Sequence, residues 1–197
     1  MDFIKRMIAQ MLWRFWKYTT LILLCFKNDI DLYCHLAKNI AIAERNPQKS
    51  IKILLRGLKR NPYSRKLKLV MANMHAVNKD FDIALALYRE LLNEDKNNPQ
   101  YNYDYALALM KKGDYKDAIN HLYETRDIIE ISGDLYFILG NSYMELNDYD
   151  NAIKYLNIAL EMSPNNKFII EANKRLRERI AVTGNLGNDQ EIQGQIP

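Results

Sequence analysis

The sequence lacks the residue patterns that mark most enzymes, metal sites and disulfide-bonded proteins. Its two cysteines, Cys25 and Cys34, show no CxxC or cysteine/histidine ligand spacing, which argues against a disulfide framework and against a zinc site. No glycine-rich phosphate loop, GxSxG or HExxH occurs, and no histidine belongs to a recognisable catalytic constellation. We therefore expect a protein that is not an enzyme and holds no cofactor or metal. The sparse cysteines favour a reducing cytoplasm.

Long apolar runs are also missing. The longest uncharged stretch near the amino terminus, YTTLILLCF, has nine residues, whereas a membrane-spanning helix needs about 20. Extending that stretch back to Met7 would place Arg14 and Lys17 inside the bilayer, at a cost of roughly 2.5–3.5 kcal/mol each near its centre. A secretory cleavage site of small residues does not follow it. Two interpretations of residues 1–27 remain open, an in-plane membrane helix and a helix that packs on protein.

Charge is distributed unevenly along the chain. Residues 1–66 carry 14 lysines and arginines against 4 acids, a net of +10, and residues 67–197 carry 14 against 20, a net of −6. The basic part could meet an anionic membrane surface or an acidic protein. The acidic part of one copy could also meet the basic part of another and give a homo-oligomer. A nucleic-acid partner is disfavoured, because no recognised nucleic-acid motif accompanies the cations.

The sequence repeats with a period of 34 residues. Blocks that begin at Asp31, Arg65, Pro99, Gly133 and Lys167 align without insertion or deletion. A fixed period of this size predicts a solenoid of helical hairpins, which presents a binding surface. The register is clearest at the twentieth place of each block, where the side chain is small: Ser50, Ala84, Ala118 and Ala152.

The block 133–166 shows the helical hairpin most clearly. Gly140 costs about 1 kcal/mol inside a helix, so it predicts that the facing helix approaches closely there. Asn147 predicts a left-handed residue at the end of the first helix, and Asp148 predicts the N-cap of the second. The apolar side chains expected on the inner faces are Leu135, Leu139, Tyr143, Ala152, Leu156 and Ala159.

The spacing of these residues resembles the signature of the tetratricopeptide repeat family. Blocks 65–98 and 99–132 match the pattern, and block 31–64 matches only in its second half. The resemblance implies an all-α, right-handed superhelical solenoid of helical hairpins, with an extra amino-terminal amphipathic helix and a carboxy-terminal capping helix. The residues that carry it best are Tyr136, Leu139, Gly140, Tyr143, Ala152, Leu156, Ala159 and Pro164.

The period also divides the chain. We expect a basic amphipathic helix at residues 1–30, a solenoid at 31–180 and a disordered tail at 181–197. The solenoid comprises the degenerate repeat 31–64, the repeats 65–98, 99–132 and 133–166, and a cap helix at 167–180. The apolar side of the cap helix is predicted to hold Phe168, Ile169, Ala172 and Leu176.

The resemblance implies that the first helices of the repeats line a concave groove. At the ninth place of each block, three of the four blocks have asparagine: Asn39, Asn73 and Asn141. The amide of an asparagine can pair with both C=O and N–H of an extended peptide. The apolar groove positions suggest a ligand with hydrophobic side chains. Two alternatives remain open: asparagine is simply abundant in this chain, or the amino-terminal helix fills the groove. The predicted groove residues are His35, Asn39, Leu69, Asn73, Tyr103, Leu107, Met110, Phe137, Asn141 and Met144.

The amino-terminal segment lies outside the period. Its apolar residues recur in pairs at four-residue spacing, which predicts a strongly amphipathic helix, and tryptophans beside cations are typical of a membrane interface. Whether this helix binds membrane, fills the groove or pairs two copies stays open. The residues predicted to contact a membrane or a partner are Lys5, Arg6, Trp13, Arg14, Trp16 and Lys17.

These observations lead to two functional hypotheses. The first is a non-enzymatic scaffold that binds an extended peptide or helix of another protein in the concave groove. The second is a self-assembling, peripheral membrane protein that uses the basic amino-terminal helix and front-to-back charge complementarity. The expected location is the cytoplasm, at the inner membrane face if that helix binds lipid.

Overall fold

A computed structural model describes residues 2–26, 28–129 and 131–183. The described residues form helices joined by short turns, with no strand among them. The tail predicted at residues 181–197 lies outside the described residues from position 184 onward. The helices are α1 (Asp2–Phe26), α2 (Ile30–Glu44), α3 (Pro47–Arg60), α4 (Arg65–Val77), α5 (Phe81–Glu94), α6 (Pro99–Lys112), α7 (Tyr115–Glu124), α8 (Gly133–Glu145), α9 (Tyr149–Met162) and α10 (Lys167–Thr183).

The helices group into two compact units, the first ending at Lys96 and the second beginning at Asn97. In the first unit, α2 pairs with α3 and α4 with α5, while α1 packs against α2. In the second unit, α6 pairs with α7 and α8 with α9, and α10 packs against α9 and α8. The all-α fold of helical hairpins predicted from the period is confirmed.

The turn inside each hairpin repeats at the backbone level. Each turn contains one residue with a positive φ, and these residues are spaced by the same 34 positions as the sequence blocks. The left-handed conformation predicted for Asn147 is confirmed. A left-handed residue costs about 1–2 kcal/mol when it carries a side chain, yet only one of the four is glycine. The four residues are Arg45 (φ 49°), Lys79 (φ 67°), Gly113 (φ 102°) and Asn147 (φ 61°).

The interior of each hairpin depends on small residues where its two helices meet. A Cβ placed on Gly140 would lie 2.9 Å from the backbone nitrogen of Leu156, so the close approach predicted there is confirmed. The backbone N–H of Asn151 donates to Asp148 at 3.2 Å, which confirms the predicted N-cap of α9. The small residues at the twentieth places, Ser50, Ala84, Ala118 and Ala152, are all fully buried.

The last helix, α10, packs against α8 and α9 through a mostly apolar stripe. Ile169, Ala172 and Leu176 are buried as predicted, but Phe168 is 78% exposed and its prediction is wrong. The stripe runs through Asn173 instead, which is buried and donates to the carbonyl of Leu156 at 3.1 Å. Because this polar residue finds a backbone partner, the buried stripe lies further round α10 than its apolar residues alone indicate.

Candidate functional site

In the first unit, the predicted groove residues lie on two neighbouring first helices. His35 and Asn39 are one turn apart on α2, and Leu69 and Asn73 are one turn apart on α4. The side chain of His35 is exposed and the other three are half-buried. Since α2 and α4 contact each other, the unit brings all four onto adjacent helices.

Asn73 already makes a hydrogen bond inside its own hairpin. The hydroxyl of Tyr88, on α5, donates to the side-chain oxygen of Asn73, and Tyr88 itself is buried. One lone pair of the amide oxygen is therefore occupied, while both N–H donors of the amide remain. The Asn73 amide can therefore donate more hydrogen bonds to a partner's carbonyls than it can accept from the partner's N–H groups.

In the second unit, the predicted groove residues divide into surface and core. Tyr103 and Leu107 on α6 and Phe137 and Asn141 on α8 are half-buried, and α6 contacts α8. The remaining two were predicted to line the groove, but both lie in the core: Met110 is 7% exposed and Met144 is fully buried.

Met144 is buried because the cap helix covers the carboxy-terminal half of α8. Its side chain packs in a cluster with Leu156 of α9 and Leu176 of α10. Arginines of α10 secure the same end of α8: Arg179 donates two hydrogen bonds to the carboxylate of Glu145, at 3.0 and 2.9 Å, and one to the carbonyl of Met144 at 3.3 Å. A sequence period cannot show this cover, because α10 has no partner helix in the repeat.

Asn141 is also engaged by the cap helix. The guanidinium of Arg175 donates to the side-chain oxygen of Asn141 at 2.9 Å. Two of the three predicted asparagines, Asn73 and Asn141, therefore share one state, in which an intramolecular donor holds the amide oxygen. One lone pair on each of these amide oxygens is therefore occupied within the protein, and the predicted pairing with both C=O and N–H of a peptide stays a prediction.

A small polar cleft of about 230 Å³ opens beside Tyr103. Burial of the phenol, together with the nearby carboxylates of Asp134 and Asp104, raises the pKa of Tyr103 to about 12, so the hydroxyl remains a donor at neutral pH. The carboxylate of Asp134 accepts a hydrogen bond from Asn166 at 3.1 Å. Asp134 is absent from the predicted groove set. The cleft is lined by Pro99, Gln100, Tyr103, Ile129, Ser132 and Asp134.

One face of α1 packs on the first repeat. Trp13 and Trp16 are half-buried and stack on each other at 5.3 Å between ring centroids. Lys17 forms an ion pair with Glu44, at the end of α2, at 2.5 Å. The guanidinium of Arg60, on α3, donates to the carbonyl of Leu24 at 2.6 Å. These contacts hold α1 on the first repeat between Trp13 and Leu24.

The other face of α1 is apolar and exposed. Arg6 and Arg14 are exposed beside it, and the side chain of Lys5 lies outside the described residues. No helix in the described part of the chain is long and apolar enough to cross a membrane. The large apolar side chains left exposed on α1 are Met7, Ile8, Met11, Leu12, Phe15, Tyr18, Ile22 and Leu23.

Comparison with known families agrees with this geometry. Two family models, both described as tetratricopeptide repeat, match residues 76–126 and 133–166. Each match covers first and second helices joined by the left-handed turns described above. Residues 76–126 and 133–166 are therefore similar to tetratricopeptide repeats.

Similar proteins include a subunit of a complex and a mitochondrial protein. The chain is 32% identical over 104 residues, 53% of its length, to anaphase-promoting complex subunit 3 of Dictyostelium discoideum, of which it spans 11%. It is 30% identical over 96 residues, 45% of its length, to the mitochondrial fission 1 protein of Debaryomyces hansenii, of which it spans 61%. The chain therefore matches only part of each of these relatives.

Solved structures share the fold at low sequence identity. A tetratricopeptide repeat protein from Parabacteroides merdae superposes with a TM-score of 0.65 at 16% identity, covering 77% of this chain and 59% of that one. MamA from Desulfovibrio magneticus, from residue 41 to its end, gives a TM-score of 0.60 at 17% identity, covering 82% of this chain and 97% of that one. These likenesses establish the fold.

Proposed function

We propose that this protein is a non-enzymatic interaction scaffold that holds an extended segment of a partner protein on its first helices. The family and the relatives in multi-subunit assemblies support an interaction role. The observation that carries the proposal is the half-buried surface of Tyr103, Leu107, Phe137 and Asn141 on the adjacent helices α6 and α8. Side chains that are already partly covered in the free protein offer apolar surface to a partner. They lose little conformational entropy when the partner binds.

A hydrogen-bonded asparagine gives polarity to the first helices of each unit, Asn73 in the first unit and Asn141 in the second. With their oxygens held by Tyr88 and Arg175, the amides of Asn73 and Asn141 are oriented to donate to backbone carbonyls. Backbone carbonyls occur in every peptide, so these contacts position an extended segment while Leu107 and Phe137 select its apolar side chains.

The proposal is tested with the variant Asn39→Ala/Asn73→Ala/Asn141→Ala. We expect it to fold like the parent chain but to lose the partner that the parent captures, measured by quantitative pull-down from native lysate. The matched control is Asn120→Ala/Asn157→Ala, on exposed positions of second helices. Undiminished capture by the triple variant would refute the role of the asparagines.

A second candidate function is peripheral attachment to an anionic membrane, favoured by the exposed apolar face of α1. Phe15 is 71% exposed and Met11 63%, and Arg14 lies between them in sequence. This combination of apolar and basic side chains suits a helix lying in the plane of a lipid surface. The localisation that follows is the inner face of a membrane.

Vesicle flotation tests this candidate. The full chain should float with vesicles that contain anionic lipid, and Phe15→Ser should reduce the floated fraction severalfold. Phe168→Ser, at a position 78% exposed in the second unit, serves as the control for loss of an exposed phenylalanine. Equal reduction by both variants would contradict attachment through α1.

The membrane alternative also includes self-assembly, in which the basic residues 1–66 of one copy meet the acidic residues 67–197 of another. Charge-driven association should weaken steeply between low and physiological ionic strength, because exposed charges are screened beyond about 8–10 Å. Sedimentation velocity at two salt concentrations measures this. A salt-independent monomer would exclude front-to-back assembly.

A further inference from the structure

The first unit contains a second cleft, distinct from the groove and formed where α1 meets α2 and α3. Its volume is about 240 Å³. Leu24, Tyr33 and Ile53 form its buried floor, and Leu21 of α1 lines one side. Pockets for whole drug-sized ligands run from roughly 300 to 1,000 Å³, so this cleft is sized for part of a molecule, such as a segment of one alkyl chain.

The rim of the cleft is strongly basic. Arg56, Lys59 and Arg60 line it, and no acid is among its lining residues. All three belong to α3, whose sequence PQKSIKILLRGLKR carries five cations and no acid. An apolar floor under a cationic rim matches a molecule that combines an alkyl chain with an anionic head.

The three cations have different roles. Arg60 donates to the carbonyl of Leu24, one of the last carbonyls of α1, and so fastens the end of that helix over the cleft. Arg56 and Lys59 are exposed and lie on one face of α3, three residues apart. A head group at the mouth of the cleft would meet these two cations while its chain covered the floor.

The surroundings of the cleft favour a lipid-like ligand over a charged peptide. Ile22 is 57% exposed and Leu23 47%, and both lie on α1 between the lining residues Leu21 and Leu24. Lys52 and Leu55 are exposed on α3 and precede the rim residue Arg56 by four positions and one position. An amphiphile would therefore meet apolar side chains both inside the cleft and beside it.

We propose that this cleft binds an anionic amphiphile, with its alkyl chain on Leu24, Tyr33 and Ile53 and its head between Arg56 and Lys59. The site goes beyond partner binding in the groove. It also deepens the membrane candidate and rests on it only where the amphiphile is a bilayer lipid, because a free fatty acid would occupy the same cleft without a membrane.

Calorimetric titration of the full chain tests the cleft itself. The probes are decanoate and decyltrimethylammonium below their micellar concentrations, which share a chain length and differ in head charge, and acetate, which has the head without the chain. We expect saturable binding of decanoate alone. Equal binding of decanoate and the cationic amphiphile, or displacement of decanoate by millimolar acetate, would overturn the proposal.

Variants locate the bound probe. Arg56→Gln/Lys59→Gln should weaken decanoate binding about tenfold or more, as expected for the loss of charge-assisted contacts. Lys111→Gln/Lys116→Gln removes the same charge from exposed positions of the second unit and should leave binding unchanged. Both pairs are on the surface, so circular dichroism should show unaltered folding. Equal weakening by both pairs would refute the assignment.

A vesicle arm separates the two sources of ligand. If the full chain does not float with anionic vesicles but decanoate still binds, the cleft holds a free amphiphile and the membrane candidate fails alone. If flotation depends on both Phe15 and the Arg56/Lys59 pair, the cleft takes a bilayer lipid. If vesicles bind and decanoate does not, the cleft proposal fails and the membrane candidate stands.

Discussion

The guanidinium of Arg175, on the cap helix α10, donates a hydrogen bond of 2.9 Å to the amide oxygen of Asn141, on α8. The cap helix therefore does more than cover an apolar end, because it also sets the hydrogen-bonding state of a candidate binding residue. Arg175→Ala should release that amide to rotate. Since this hydrogen bond is exposed to solvent, the unfolding free energy should fall by less than about 1 kcal/mol.

The consequence for partner binding distinguishes two roles of Arg175. If the held amide is the binding form, Arg175→Ala should weaken partner capture while Asn141→Ala weakens it further. Urea denaturation and quantitative pull-down measure the two effects separately. Stronger capture by Arg175→Ala would show that the arginine competes with the partner instead.

The close approach of α8 and α9 at Gly140 gives a stability prediction. Leu139 is 5% exposed, so Leu139→Ala should cost about 2–5 kcal/mol. Gly140→Ala should cost about 1–3 kcal/mol, because its new methyl group would meet the backbone of Leu156 at 2.9 Å. Leu55→Ala, at a position 55% exposed, is the control. Chemical denaturation showing no difference between Leu139→Ala and the control would contradict the register.

The left-handed turns offer a stabilising substitution. Lys79 has a φ of 67° at the place that glycine occupies in the next repeat. Lys79→Gly should therefore raise the unfolding free energy by up to about 1 kcal/mol, since relief of strain exceeds the entropic cost of glycine. Lys174→Gly, inside α10, should instead lower it by about 1 kcal/mol. Thermal denaturation of both variants checks the opposite signs.

The docking of α1 should depend on acid pH through Glu44. Hydrogen bonds from Lys17 and then Lys49 hold the pKa of Glu44 below its ordinary value of 4.5. A carboxyl whose pKa is lowered by folding binds fewer protons than in the unfolded chain, so its stabilisation is present above pH 4.5 and is lost as pH falls through the lowered value.

Fluorescence of Trp13 and Trp16, which lie on the docked face of α1, reports this transition. The parent chain should lose its docked signal on acidification, and Glu44→Gln should show a weakened signal already at neutral pH with less dependence on pH. Glu161→Gln, at an exposed position of α9, is the matched control. If the parent chain and Glu44→Gln show the same dependence of tryptophan fluorescence on pH, Glu44 does not control the docking of α1.

The sequence predicted the features that recur with the period. The hairpins, the left-handed Asn147, the small residue at Gly140 and the buried alanines follow from local geometry that each repeat must reproduce. The structure expected for one block therefore applies to the others. A wrong expectation at one position can be recognised by comparison with the equivalent positions of the other blocks.

Several features that the sequence missed depend on α1 or α10. Met144 is buried because α10 lies over it, and Asn173 enters the core because a backbone carbonyl of α9 receives its N–H. The cleft bounded by Leu24 and Arg56 exists only once α1 is placed on the first repeat. α1 lies outside the period, so the period gives no register for its packing, and α10 is the only described helix of its block, so it has no second helix to pair with.

Photo-crosslinking tests the central claim, that partners bind on the first helices, most directly. A benzoyl-phenylalanine at Leu107 or Phe137, on α6 and α8, should crosslink to the captured partner in native lysate. The same group at Leu55 or Ile83, which are exposed on second helices, should crosslink weakly. Strong crosslinks from the second-helix positions with none from Leu107 and Phe137 would contradict the scaffold as described.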